Sequence, residues 1–182
     1  MKLISTEFDG LFILEPKVFG DERGYFMESY SYKTLLENGI DINFVQDNQS
    51  RSKKGVLRGL HFQNSPYAQT KLVRVLSGSI LDVVVDLRRE KSTFGKHLNL
   101  ELSSDNKKQL LVPKGFAHGF LVLSEYAEVF YKTDEFYNAN ADGGINFNDP
   151  ALGLLDLLST ENLILSEKDK NLPILSEANF NF

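Results

Sequence analysis

Between Lys71 and Thr133 the chain is a succession of short runs rich in β-branched and aromatic residues, broken by Gly, Pro, Asn, Asp and Ser. The runs are Lys71–Ser77, Ser79–Leu87, Lys96–Leu102, Gln109–Val112, His118–Leu123 and Glu128–Thr133, preceded by Phe12–Leu14 and Phe44–Gln46. Each is too short for a stable helix, and the spacing of turn residues predicts consecutive antiparallel strands. That many short strands must close on one another, as a sandwich or a barrel of the jelly-roll kind. One helix is expected, Tyr32 to Asn38, with Ser31 as its N-cap and Gly39 just past its end. Ser166-Glu167-Lys168-Asp169, in a C-terminal stretch of mixed signals, reads as a polar turn or a short helix start.

At 182 residues the chain has about the length of one domain, and residues 1–182 are read as one. A chain of this size buries roughly 70% of its unfolded surface without disulfides or structural metal. It has no cysteine, which removes disulfides, thiolate nucleophiles and Cys-bound zinc. A net charge of −5 makes nucleic acid a poor partner, since phosphate neutralisation needs a basic face. Glu7 and Asp9 interrupt the N-terminal stretch, no window approaches the roughly 20 apolar residues of a membrane span, and a cytoplasmic location is the expectation.

Strand periodicity then sorts individual side chains. In Leu81–Leu87 the odd-numbered residues form one apolar face, while Asp82, Val84 and Asp86 share the other, which faces either solvent or a polar cavity. Lys71 shares a face with Val73 and Val75; it is a solvated edge lysine, or an inward one needing a counter-charge such as Asp82 or a ligand anion. Val129, Tyr131 and Thr133 share a face, so Tyr131 can point inward while Phe130 packs outward; most such tyrosines are packing residues. In Gly55-Val56-Leu57-Arg58-Gly59-Leu60-His61-Phe62-Gln63 strict alternation separates Arg58 from His61, but a bulge at Gly59 would bring both to one cavity. A histidine in such a run is by itself more often a packing residue than a base. Pro113-Lys114-Gly115-Phe116-Ala117-His118 is a turn delivering a second histidine into an apolar strand. No His-x-His accompanies it, and His61, His97 and His118 are not spaced as a metal-ligand set, so no metal and no cofactor are expected.

Taken together, these segments resemble the RmlC family, the dTDP-4-dehydrorhamnose 3,5-epimerases. The likeness runs from Ile13-Leu14-Glu15-Pro16-Lys17-Val18-Phe19-Gly20-Asp21-Glu22-Arg23-Gly24, through Phe44-Val45-Gln46-Asp47-Asn48, Leu57–Gln63, Pro113–Phe120 and Glu125–Glu128, to Leu165–Asp169. The resemblance implies an all-β, cupin-type jelly-roll barrel with a short helix and a C-terminal extension. It implies that His61 is the base, Asp169 the carboxylate orienting it, Tyr131 the acid on the opposite face of the sugar, and Lys71 the cation stabilising an enolate. His118 and Arg58 would line the pocket. Arg23, Glu28, Gln46, Asp47, Asn48 and Lys168 would bind nucleotide and diphosphate, Tyr137 would stack on thymine, and Asp142 would stand where the family often has Glu. The implied substrate is a dTDP-4-keto-6-deoxy sugar, and the implied assembly a homodimer sharing its N-terminal segments. Inversion at one carbon only, a related ketoisomerase, and a non-catalytic sugar-nucleotide-binding cupin are the alternatives. One departure is Gly153-Leu154-Leu155-Asp156-Leu157, where the family commonly carries a Trp that this chain lacks.

Overall fold

The computed structural model describes residues 1–154 and 163–182, so part of the departing motif, residues 155–157, lies outside the described residues. Two antiparallel sheets face each other. The first runs β1 (Lys2–Ser5), β2 (Phe12–Glu15), β10 (Gln109–Val112), β7 (Lys71–Ser77), β12 (Tyr126–Thr133), β5 (Gln46–Lys53). The second runs β13 (Asp142–Gly144), β6 (Leu57–Gln63), β11 (Phe116–Val122), β8 (Ser79–Asp86), β9 (His97–Ser103). Consecutive strands repeatedly cross between the sheets, which makes the all-β jelly roll expected of the sequence. A separate hairpin, β3 (Val18–Asp21) with β4 (Gly24–Met27), stands off the body with Phe19, Tyr25 and Phe26 more than half exposed. No helix among the described residues is long and apolar enough to cross a membrane.

The period of two explains the layers. Ile80 and Val84 of β8 enter the core between the sheets with Val73, Val75, Phe120 and Val129. Leu81, Val83 and Val85 point the other way, under a cover formed by Phe147, Leu152, Leu154 and Phe180 of the C-terminal extension. Asp82 and Asp86 therefore lie on the inner face, both fully buried, which settles the two-way reading of that strand in favour of the interior. Asp86 is sealed there by Arg88 and Thr93. Over the outer face of the first sheet lies α1 (Tyr32–Glu37), where Leu35 packs with Leu14, Leu72 and Leu111. Ser31 caps the helix by accepting from Thr34 N–H, and Gly39 follows at φ +80°, as the sequence predicted.

Two glycines set the relation between β6 and β11. The register pairs His61 with His118 and Arg58 with Phe120, so three steps on β6 oppose two on β11. That is a bulge, and it carries Leu57, Leu60 and Phe62 to the outer core while Arg58 and His61 turn inward. Gly59 has φ +121°, and a Cβ there would lie 2.5 Å from Gly119 Cα; a Cβ on Gly119 would lie 2.5 Å from the Arg58 carbonyl oxygen. The two backbones touch because neither residue has a side chain.

Candidate active site

A cleft of about 480 Å³ opens between the sheets at one end of the barrel. The second sheet contributes Arg58, His61 and His118; the first contributes Asn48, Lys71 and Tyr131. Lys168 and Asp169 reach in from α2 (Glu167–Lys170) of the C-terminal extension. Tyr131 lies next to Asn48 and Val73 in register, and Lys71 next to Thr133, so phenol and ammonium share one wall. Both imidazoles stand on the other. A bound ring would thus meet histidine on one side and tyrosine on the opposite side.

His61 Nε2 and Asp169 Oδ1 are 2.6 Å apart. Ser166 caps α2, its Oγ accepting from Asp169 N–H, and this orients the carboxylate toward the barrel. Burial alone would raise the Asp169 carboxyl, but hydrogen bonds from His61 and Ser166 and the charge of His61 hold it below the ordinary carboxylate range. A carboxylate so fixed sets the imidazole tautomer and leaves the other ring nitrogen as a proton acceptor. His118 Nε2 has its own carboxylate, Asp82, at 2.9 Å. Sequence reasoning offered Asp82 as one possible counter-charge for Lys71, whose ammonium does feel it, and missed its pairing with His118. It read Ser166–Asp169 as a polar turn or short helix start, where α2 begins with Ser166 as its cap, but missed Ser52, which accepts from Arg58 Nε at 3.0 Å.

Burial pushes the Lys71 ammonium down to about 8, against the opposing charges of Asp82 and Asp142. Burial raises the Tyr131 phenol, with Arg58 working the other way, so it keeps its proton at neutral pH. Among the described residues, no group of three or more His, Asp or Glu is arranged to hold a metal.

At the mouth, Gln46 donates to Asn48 Oδ1, and the Tyr137 hydroxyl donates to Asp142, which also pairs with Lys168. These link Gln46, Asn48, Tyr137, Asp142 and Lys168 into one rim. Three residues named from the sequence are not brought to it. Asp47 alternates to the outer face of β5 and pairs with Lys132 at 2.8 Å. Glu28 is exposed just past β4, and Arg23, on the hairpin turn, has a side chain 89% exposed and paired with Asp21.

A jelly roll whose open end holds an oriented imidazole, a facing phenol and a buried ammonium belongs to the acid–base enzymes that work on a carbon next to a carbonyl. The comparisons narrow this class. A family profile described as dTDP-4-dehydrorhamnose 3,5-epimerase matches residues 5–177, and the chain belongs to that family. It is 52% identical over 179 residues to the dTDP-4-dehydrorhamnose 3,5-epimerase of Escherichia coli K12, covering 97% of this chain and 96% of that one. Among solved structures, the Legionella pneumophila dTDP-6-deoxy-D-glucose-3,5-epimerase in complex with dTDP-4-keto-L-rhamnose superposes with a TM-score of 0.92 at 47% identity, covering 97% of this chain and 93% of that one. The Bacillus anthracis dTDP-4-dehydrorhamnose 3,5-epimerase with TDP and PPi bound gives 0.92 at 49%, covering 95% and 98%.

Proposed function

We propose that this chain is a dTDP-4-dehydrorhamnose 3,5-epimerase, inverting C3 and C5 of a dTDP-4-keto-6-deoxy sugar through an enolate. The observation that carries the reading is the placement of His61–Asp169 and Tyr131 on opposite walls of one cleft. Both hydrogens lie α to the same carbonyl, so one oxyanion-stabilising cation serves both centres. Lys71 is that cation. His61 removes the proton from one side, and Tyr131 supplies one from the other. His118, steadied by Asp82, and Arg58 line the sugar site, and the rim from Gln46 to Lys168 takes the nucleotide, with Tyr137 as a stacking surface for thymine. A non-catalytic binder needs none of the acid–base set.

The hairpin completes the reading. Its Phe19, Tyr25 and Phe26 are more than half exposed, and in a homodimer they would carry Arg23 and Glu28 toward a partner's cleft. The location fitting a nucleotide-sugar enzyme is the cytoplasm.

The test is incubation with dTDP-4-keto-6-deoxyglucose in deuterated water, with label counted by NMR. Deuterium should enter both C3 and C5, and the product should have the L configuration. Label at only one carbon would make the chain a mono-epimerase, and no label would leave a binder.

A pH dependence follows from Lys71. A neutral amine cannot stabilise an oxyanion by charge, so kcat/KM should fall as pH rises through about 8, where the buried ammonium loses its proton. Lys71→Arg should move this descending limb beyond pH ~10, because guanidinium stays charged. A wild-type profile flat to that pH would remove Lys71 from the role.

A further inference from the structure

The strand that carries the base also carries Gln63, two residues on and therefore on the same face as His61. Its side chain is 4% exposed, and every polar atom in it is engaged. Nε2 donates to the carbonyl oxygens of Tyr67 at 2.7 Å and Phe136 at 3.2 Å, and Oε1 accepts from Asn138 N–H at 2.7 Å. Phe136 and Asn138 flank Tyr137. One buried amide thus grips the chain on both sides of an aromatic residue that is itself 60% exposed. Between them, Tyr137 N–H reaches Gln46 Oε1 at 3.4 Å. Among the described residues, no main-chain group takes the peptide N–H or C=O of Phe136 or Tyr137. The loop's shape at this point is held by side chains, namely these amides and the Glu135 carboxylate, which accepts from Phe136 N–H at 2.9 Å.

We propose that Gln63 is a positioning residue that presets the Tyr137 ring for the nucleobase, making the base strand and the nucleoside platform one rigid unit. The inference rests on the reading of Tyr137 as the stacking surface. An exposed ring on a loop without main-chain partners would otherwise sample many positions, and each binding event would have to order it. Gln63 removes that cost before the ligand arrives. The pairing of Gln63 with Asp142 in the β6–β13 register ties the same strand to the residue that receives the Tyr137 hydroxyl.

The experiment is a double-mutant cycle read by calorimetric titration with dTDP on the full chain. Gln63→Met keeps length and apolar packing but loses all three hydrogen bonds, and should raise the dTDP Kd about tenfold, the effect of one lost buried hydrogen-bond group. In a Tyr137→Ala background the same change should have almost no further effect. Gln63→Glu carries the test independently, should the methionine variant not fold. Its carboxylate still accepts from Asn138 but repels the two carbonyls, so it should weaken dTDP binding at neutral pH. The ratio of its Kd to that of wild type should shrink as pH falls and the carboxyl gains a proton to donate. Unchanged dTDP affinity in the Gln63 variants beside a weakened Tyr137→Ala overturns the inference. So does an equal loss with and without the Tyr137 ring, since Gln63 would then act through something else. Unchanged affinity in Tyr137→Ala overturns the stacking reading itself, and this inference with it.

Discussion

Replacing His61 with alanine is expected to stop exchange of both α protons with solvent, lowering turnover by more than the roughly 10²–10⁴-fold that one acid–base group usually supplies. The excess arises because both carbons depend on the same base. Removing the imidazole also leaves Asp169, buried to 3% exposure, without its 2.6 Å partner. The measurement is deuterium uptake at C3 and C5 of substrate, on protein whose circular dichroism and melting match wild type. Exchange at the normal rate would move the base elsewhere, and His118, directly across the β6–β11 ladder and backed by Asp82, would be the next group to test.

Tyr131→Phe should do something different in kind: it should separate exchange from inversion. His61 can still take a proton, and Lys71 can still hold the enolate. With no acid on the opposite wall, the proton returns from the side it left, or arrives slowly from water. Deuterium should enter the sugar with retained configuration at nearly the wild-type rate, while formation of the inverted product falls by about 10²–10⁴. Burial raises the phenol's pKa, so the wild-type residue arrives protonated, as an acid must. One oxygen is removed from a half-buried ring, so packing should hold and dTDP affinity should change little. Parallel loss of exchange and inversion, or inversion at the normal rate, would return Tyr131 to a packing role.

The strands legible in the sequence were those with one apolar face. β7 and β10 fall where their Val and Leu runs put them, and a period of two grouped Lys71 with Val73 and Val75, and Tyr131 with Val129, on faces that the structure turns inward. β5 was nearly invisible, because Gln46-Asp47-Asn48-Gln49-Ser50-Arg51-Ser52-Lys53 has no apolar residue. It is an edge strand whose inner face borders a polar cleft, so neither face needs to be hydrophobic. The bulge at Gly59 was readable because a glycine stood where alternation had to fail. The pairing of His118 with Asp82 was not, since it joins diagonal neighbours across a ladder whose register no single strand encodes. The role of Asp169 came only through family resemblance; nothing within 100 residues of His61 announces it, and only tertiary packing brings the two together.

That last pair divides the site between two distant parts of the chain. All thirteen described strands lie at or before Gly144, and the strands that wall the cleft, with His61, Lys71 and Tyr131, are among them. The carboxylate that orients the imidazole follows 25 residues later, on a four-residue helix. A domain folds as a unit, so His61 gains this carboxylate only in the folded chain, when the helix docks beside β6.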